Sequence, residues 1–183
     1  WGILRHDVSF PAAVIRETVM RENSRWMREF LAATGTSICP HGKTTMAPQL
    51  FDLQLRDGAW GLTAATANHV AVYRRFGAKR IILANQLVGA QALRYVGAEL
   101  RSDPGLDFYC LVDSHSNLAF LLDHLRREPV GRPLQLLLEI GMAGGRTGVR
   151  GADEAVALAR AVRSAEPLVS LRGVEGFEGL VDV

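Results

Sequence analysis

Two cysteines, Cys39 and Cys110, cannot build a disulfide framework, so the fold must be held by its core and the expected compartment is reducing, the cytoplasm. No segment approaches the roughly 18 consecutive apolar residues of a membrane span. The opening Trp1-Gly2-Ile3-Leu4-Arg5-His6-Asp7 lacks the basic-then-apolar order of a secretory signal. Basic blocks are missing too: 21 basic and 19 acidic residues are mixed along the chain, the net charge is +2, and nothing argues for nucleic acid. Linkers, low-complexity stretches and sequence repeats are also lacking. What remains, 48% hydrophobic and 22% charged over 183 residues, fits a single globular domain spanning 1–183 with a sizeable core.

Within that domain short apolar runs alternate with amphipathic stretches. The spacing predicts strands over 11–15, 36–41, 61–65, 80–84, 106–112, 134–140 and 171–177. Helices are predicted over 16–33, 46–57, 68–76, 90–100, 117–127 and 153–165. Runs such as Ile81-Ile82-Leu83-Ala84 and Leu136-Leu137-Leu138 suit a sheet covered on both faces, and strand-helix alternation at this rhythm indicates parallel βα units. Two architectures fit, an open doubly wound sheet and a barrel. The dinucleotide fingerprint G-x-G-x-x-G follows none of the predicted strands; Gly141-Met142-Ala143-Gly144-Gly145-Arg146 has the wrong spacing. A complete (β/α)8 barrel takes about 250 residues. The expectation is therefore an α/β fold, a parallel (β/α) TIM-type barrel left incomplete at about six βα units, ending at 179–183 where no barrel closes. The chain also opens without an initiator methionine, and a piece of a longer protein is expected.

One apolar run ends unusually, in Ile38-Cys39-Pro40-His41-Gly42-Lys43-Thr44. Residues two apart on a strand share a face, so Cys39, His41 and Lys43 are expected to point one way, with Lys43 at the carboxyl end where barrel enzymes place their sites. Lysine is almost never buried without a partner. Either Lys43 reaches solvent along its aliphatic stem and His41 satisfies a backbone carbonyl, or the amine does chemistry. An amine near apolar walls and cationic neighbours loses its proton readily and can attack a carbonyl; His41 beside it would tune that acidity or relay protons.

Pro40-His41-Gly42-Lys43-Thr44 resembles the Pro-His-x-Lys-Thr signature of the fold-type III pyridoxal phosphate enzymes related to alanine racemase, in the branch of D-threonine aldolase and D-serine dehydratase. Gly145-Arg146-Thr147-Gly148-Val149 and Gly173-Val174-Glu175-Gly176-Phe177-Glu178-Gly179 follow in family order, as do Asn85-Gln86 and Val112-Asp113-Ser114 at strand ends. The resemblance implies that Lys43 forms the Schiff base with pyridoxal 5'-phosphate, that Arg146 hydrogen-bonds its phenolic oxygen, and that His41, Asn85 and Phe177 line the cofactor. Each has a plainer alternative: Arg146 pairing with Glu154, Phe177 in the core, Asn85 and Asp113 capping helices, His69 and His115 starting them. Many members read Lys-Thr-His-Lys where this chain has Lys43-Thr44-Thr45-Met46, which looks like a bacterial D-serine deaminase-like subgroup. The implied activity is an ammonia-lyase converting D-serine to pyruvate and ammonia. D-threonine aldolase-like, racemase-like and non-catalytic cofactor-binding or inactive-fragment readings stand as alternatives. A homodimer is implied, with no membrane partner. In this branch the ligand pair for a divalent metal, zinc or manganese, and a β-domain lie C-terminal to the barrel, and neither is expected within this chain.

Overall fold

In the computed structural model, which describes residues 2–5 and 7–179, the predicted alternation materialises as six α-helices and five strands. In chain order they are α1 (Glu17–Thr34), α2 (Pro48–Arg56), β1 (Leu62–Ala64), α3 (Ala67–Arg75), β2 (Arg80–Gln86), α4 (Ala90–Ser102), β3 (Asp107–Val112), α5 (His115–Arg127), β4 (Leu134–Ile140), α6 (Ala152–Ser164) and β5 (Val169–Gly176). A 3-10 turn at Ile3–Arg5 precedes them. The expectation for 179–183 falls, beyond Gly179, outside the described residues.

Local chemistry sets most boundaries. Proline at the first position opens α2, where its missing N–H removes nothing from the helix. Thr66 and Ser114 cap α3 and α5, their hydroxyls accepting from the amides of His69 and Asn117. Gly35 closes α1 in the left-handed conformation (φ 65°) that glycine adopts without a Cβ clash.

All five strands are parallel, in the order β1-β2-β3-β4-β5. That order decides between the two architectures. A doubly wound sheet reverses direction at a switch point; here each new strand is added on the same side. With right-handed crossovers, every connecting helix then packs on one face and the opposite face becomes the inner wall of a barrel. Burial follows suit. Ile81, Leu83, Phe108, Cys110, Val112, Leu134, Leu136 and Leu138 lie buried within one hydrophobic core. The alternate positions Ile82, Tyr109 and Leu137 are half-exposed on the inner wall.

The amino-terminal rim of the sheet is held by polar side chains. The Arg80 guanidinium lies 4.5 Å from the Trp60 ring centroid and pairs with Asp107 at 3.1 Å; Gln135 donates to the same carboxylate at 2.8 Å. Between α3 and α4, half-buried Arg74 donates to Glu99 and Asp103, both at 2.8 Å. Breaking a sheltered pair by removing one partner leaves an uncompensated charge, so these ties fix how the outer helices sit.

Two expected strands do not form. Residues 11–15 are exposed throughout, and among the described residues no strand pairs with them. Residues 36–41 run parallel to the start of β1 but contribute a single bridge, His41 to Thr63, supported by Trp60 N–H to Ile38 O and Thr63 N–H to Pro40 O, both 2.8 Å. Proline at position 40 has no N–H to extend the ladder.

Candidate active site

The carboxyl ends of the strands carry the residues that the sequence singled out. Lys43 is not on a strand, as the two-residue alternation predicted. It sits in a turn closed by the Met46 N–H to the Gly42 carbonyl at 2.9 Å, and its side chain is exposed at the rim. Gly42 beneath it is buried: a Cβ there would stand 2.7 Å from both Phe51 Cε1 and Tyr73 Oη. Phe51 and Tyr73 meet edge to face at 5.0 Å, and the Tyr73 hydroxyl donates to the Thr63 carbonyl at 3.2 Å. The lysine-bearing turn thus rests on an aromatic pair that only glycine can approach so closely.

His41, one bridge before the turn, is in electrostatic reach of Lys43, His69 and Arg146. Partial burial and then the Lys43 charge push its imidazole below the usual value; His69 and Arg146 act the same way, and a hydrogen bond with the Thr63 backbone opposes them. Lys43 shares its segment with His41, whereas His69 comes from the first turn of α3 and Arg146 from the connector after β4. A histidine whose folded pKa is lowered binds fewer protons than the unfolded chain, so its contribution to stability is present above about 6.5 and is lost as pH falls through the lowered folded value. An NMR titration of His41 should show a midpoint below that of a free imidazole, rising when Lys43 is replaced by methionine. A midpoint indifferent to Lys43 would show the two groups do not sense each other.

Arg146 comes from the connector 141–148 after β4. Its guanidinium lies 5.2 Å from the centroid of Phe177, which follows β5 and is 48% exposed rather than packed in the core. Among the described residues no ion pair joins Arg146 to Glu154. The recess between Arg146 and Phe177 measures only about 20 Å³ and is lined also by Glu139, Gly141, Met142 and Thr147. That is room for roughly one water; anything larger would lie over the inner wall. Asn85 reaches the same rim, but its amide donates to the Ala65 carbonyl at 3.2 Å while its oxygen accepts from Gln86 N–H, tying β2 to β1. His69 keeps its place in the first turn of α3, its Nδ1 accepting from Ala65 N–H at 3.3 Å. His115 opens α5, whose cap is Ser114; Asp113 instead accepts from the Gly148 amide at 3.4 Å.

Several residues at this rim were not singled out from sequence. Glu139 is 3% exposed and accepts from Gln86 Nε2 and from Thr147 Oγ1, each at 2.5 Å. Beside it in register, Glu175 has one carboxylate oxygen buried with no hydrogen-bond partner among the described residues. Burial and then the Glu139 charge raise the Glu175 pKa, against the pull of Arg146. The signal for Glu139 was present: an acid inside the otherwise apolar end of Leu134–Ile140. Cys39, whose thiol is pushed up by burial, belongs to the packing behind His41.

A groove of about 410 Å³ opens elsewhere, between α1 and α2, lined by Met20, Met27, Leu31, Ile38, Leu50 and Leu53. Its lining is mainly apolar and includes Pro40 but neither Lys43 nor Arg146. Among the described residues no group of three or more histidine, cysteine, aspartate or glutamate side chains is placed to hold a metal ion.

Comparison with known proteins agrees with this geometry. The chain is 25% identical over 175 residues to a D-threonine aldolase of an Arthrobacter species, covering 95% of this chain and 44% of that protein. Its fold superposes on the D-threonine aldolase of Filomicrobium marinum with a TM-score of 0.82 at 24% identity, over 92% of this chain and 44% of the other. D-threo-3-hydroxyaspartate dehydratase of Delftia sp. HT23 gives a TM-score of 0.78 at 27% identity, over 93% and 44%. The chain thus spans less than half the length of these relatives. The family model described as alanine racemase, N-terminal domain, matches residues 15–182, and with strand order, rim and match in agreement the chain belongs to the alanine racemase N-terminal domain family.

Proposed function

We propose that this chain is the pyridoxal phosphate-binding part of a lyase that acts on a β-hydroxy D-amino acid, with D-serine as substrate and pyruvate and ammonia as products. The observation that carries the reading is a lysine on a glycine-anchored turn at the carboxyl rim of a parallel sheet, the rim at which the connector after β4 presents Arg146. The fit is electrostatic and steric. Pyridoxal phosphate is an anionic aldehyde, and the rim offers one amine, one guanidinium and two imidazoles, together with a glycine-rich connector that lets backbone come close. Glu175, with an oxygen unpartnered among the described residues, adds an acceptor whose charge senses Arg146.

Lys43 would hold the cofactor's aldehyde and Arg146 its phenolic oxygen. When bound, the cofactor supplies an electron sink for a carbanion at Cα. The chain supplies placement and proton handling. The Lys43 amine is the group positioned to carry the Cα proton. His41, whose pKa is lowered by partial burial and then by the Lys43 charge, can take a proton from that amine or return one. Phe177 screens Arg146 from water on one side. The relatives' names include both aldolases and a dehydratase, and the resemblance of Lys43-Thr44-Thr45-Met46 to a D-serine deaminase-like subgroup is what points to elimination of water rather than cleavage of Cα–Cβ. The intact protein should release pyruvate from D-serine; release of glycine from D-threonine with no pyruvate would assign it to aldol cleavage instead.

Self-association belongs to the same proposal. Beyond β5 the sheet edge is unpaired among the described residues, and Val174 and Phe177 there are exposed. An open edge and uncovered apolar wall favour pairing with another copy. The 183-residue chain by itself should elute above monomer mass in size-exclusion with light scattering. A clean monomer would count against that edge being available.

A further inference from the structure

The connector that carries Arg146 begins and ends on Glu139. The Glu139 carbonyl accepts from Val149 N–H at 2.8 Å, and Gly141 N–H returns a bond to the Val149 carbonyl at 2.9 Å, closing residues 141–148 into a loop at the end of β4. Within the loop Arg146 is the one charged residue, and its neighbour Thr147 donates to the Glu139 carboxylate. The other carboxylate oxygen takes the amide of Gln86, from β2, two strands away. Gln86 can reach because β2 carries two extra residues, Ala84 and Asn85, relative to β3, which sets Gln86 opposite Leu111 on the inner wall. An acid this deeply buried is costly unless its lone pairs are filled, and here both donors come from elements that frame the rim.

From this geometry we infer that Glu139 is a positioning residue for Arg146: its carboxylate pins the Arg146 loop against the end of β2 and so aims the guanidinium at the space shared with Lys43. The inference rests on the reading that Arg146 meets the cofactor. Glu175, adjacent in register, takes neither of these donors, which both go to Glu139. Asp113 adds one weaker tie, at Gly148.

The test uses three variants of the intact protein: Thr147→Val, which cuts only the loop's side-chain link; Glu139→Leu, which cuts both links; and the exchange of Gln86→Glu with Glu139→Gln, which restores a donor–acceptor pair. Two readouts separate this inference from the reading beneath it. Amide hydrogen exchange over 141–149 without cofactor should speed up in Thr147→Val and Glu139→Leu and return towards the parent rate in the exchanged pair. Pyridoxal phosphate affinity should fall roughly tenfold in Thr147→Val, on the scale of one lost hydrogen bond to a charge. Added to Arg146→Ala, Thr147→Val should cost nothing further, because it acts through that residue. Unchanged exchange in Thr147→Val, with the protein folded, would overturn the inference whether or not cofactor binds. A parent protein that binds no cofactor would instead sink the proposed function, leaving the exchange result to judge Glu139 alone. Were Glu139→Leu not to fold, Thr147→Val and the exchanged pair still decide. Additive losses with Arg146→Ala would also overturn it, reducing Glu139 to an ordinary buried strut.

Discussion

Replacing Lys43 by alanine should abolish the visible absorption band and the covalent mass increment, after borohydride reduction, that pyridoxal phosphate gives with the parent protein. The expected loss is complete, because covalent capture of an aldehyde needs a nucleophilic amine and only lysine supplies one as a side chain. This chain makes the experiment unusually clean. Of its 21 basic residues two are lysines, and the other, Lys79, lies just before β2 at the amino-terminal rim, the end opposite Lys43. Lys79→Arg should therefore leave band and mass increment intact. Survival of the band in Lys43→Ala, or its loss in Lys79→Arg, would move the site to the wrong end of the sheet and remove the basis of the proposed function. Simple snorkelling of Lys43 predicts a third result, no specific capture by either lysine.

Gly42→Ala should destabilise the fold by about 1–3 kcal/mol, the usual cost of forcing extra volume into a packed site. The new methyl would sit 2.7 Å from Phe51 Cε1 and Tyr73 Oη, closer than real Cβ contacts allow, so something must move. Neither ring yields easily, since Phe51 and Tyr73 are both buried and Tyr73 is hydrogen-bonded to Thr63. Urea denaturation measures the loss, and cofactor capture should fall with it because the same shift displaces the Lys43 turn. Gly151→Ala is the matching control: its Cβ meets nothing within 4 Å, so an effect within about 0.5 kcal/mol is expected. Pairing Gly42→Ala with Phe51→Leu should recover part of the loss. Equal effects of the two glycine substitutions would show that no aromatic platform holds the turn.

How far the sequence could be read depended on whether the deciding contacts were local. β4 was predicted residue for residue, because Leu134–Ile140 is bounded by a proline and a glycine and is apolar throughout but for Gln135 and Glu139. Helix bounds came within a few residues, with Thr66 and Ser114 serving as caps. Residues 11–15 misled because composition alone resembles a strand, and no local signal tells whether a partner strand lies alongside. Lys43 was placed correctly at the carboxyl rim for a partly wrong reason: a turn, not strand alternation, presents it. Phe177 was weighed as core and lies at the rim over Arg146, while Asn85 turned out to brace two strands. The Gln86–Glu139 pair was illegible, being 53 residues apart and dependent on a bulge that the sequence does not announce.

The one-directional strand order has a consequence for how such a protein can change. The carboxyl rim carries Lys43 on its turn, His69 at the start of α3, and Asp113 and Arg146 on the connectors leaving β3 and β4, while the connectors entering the strands lie by Trp60, Arg80, Arg74 and Asp107, whose pairings brace the scaffold. New chemistries can thus be sampled by varying one set of connectors while the other keeps the chain foldable. A library randomised on the exit side should retain many more well-folded members than one randomised at the entrance.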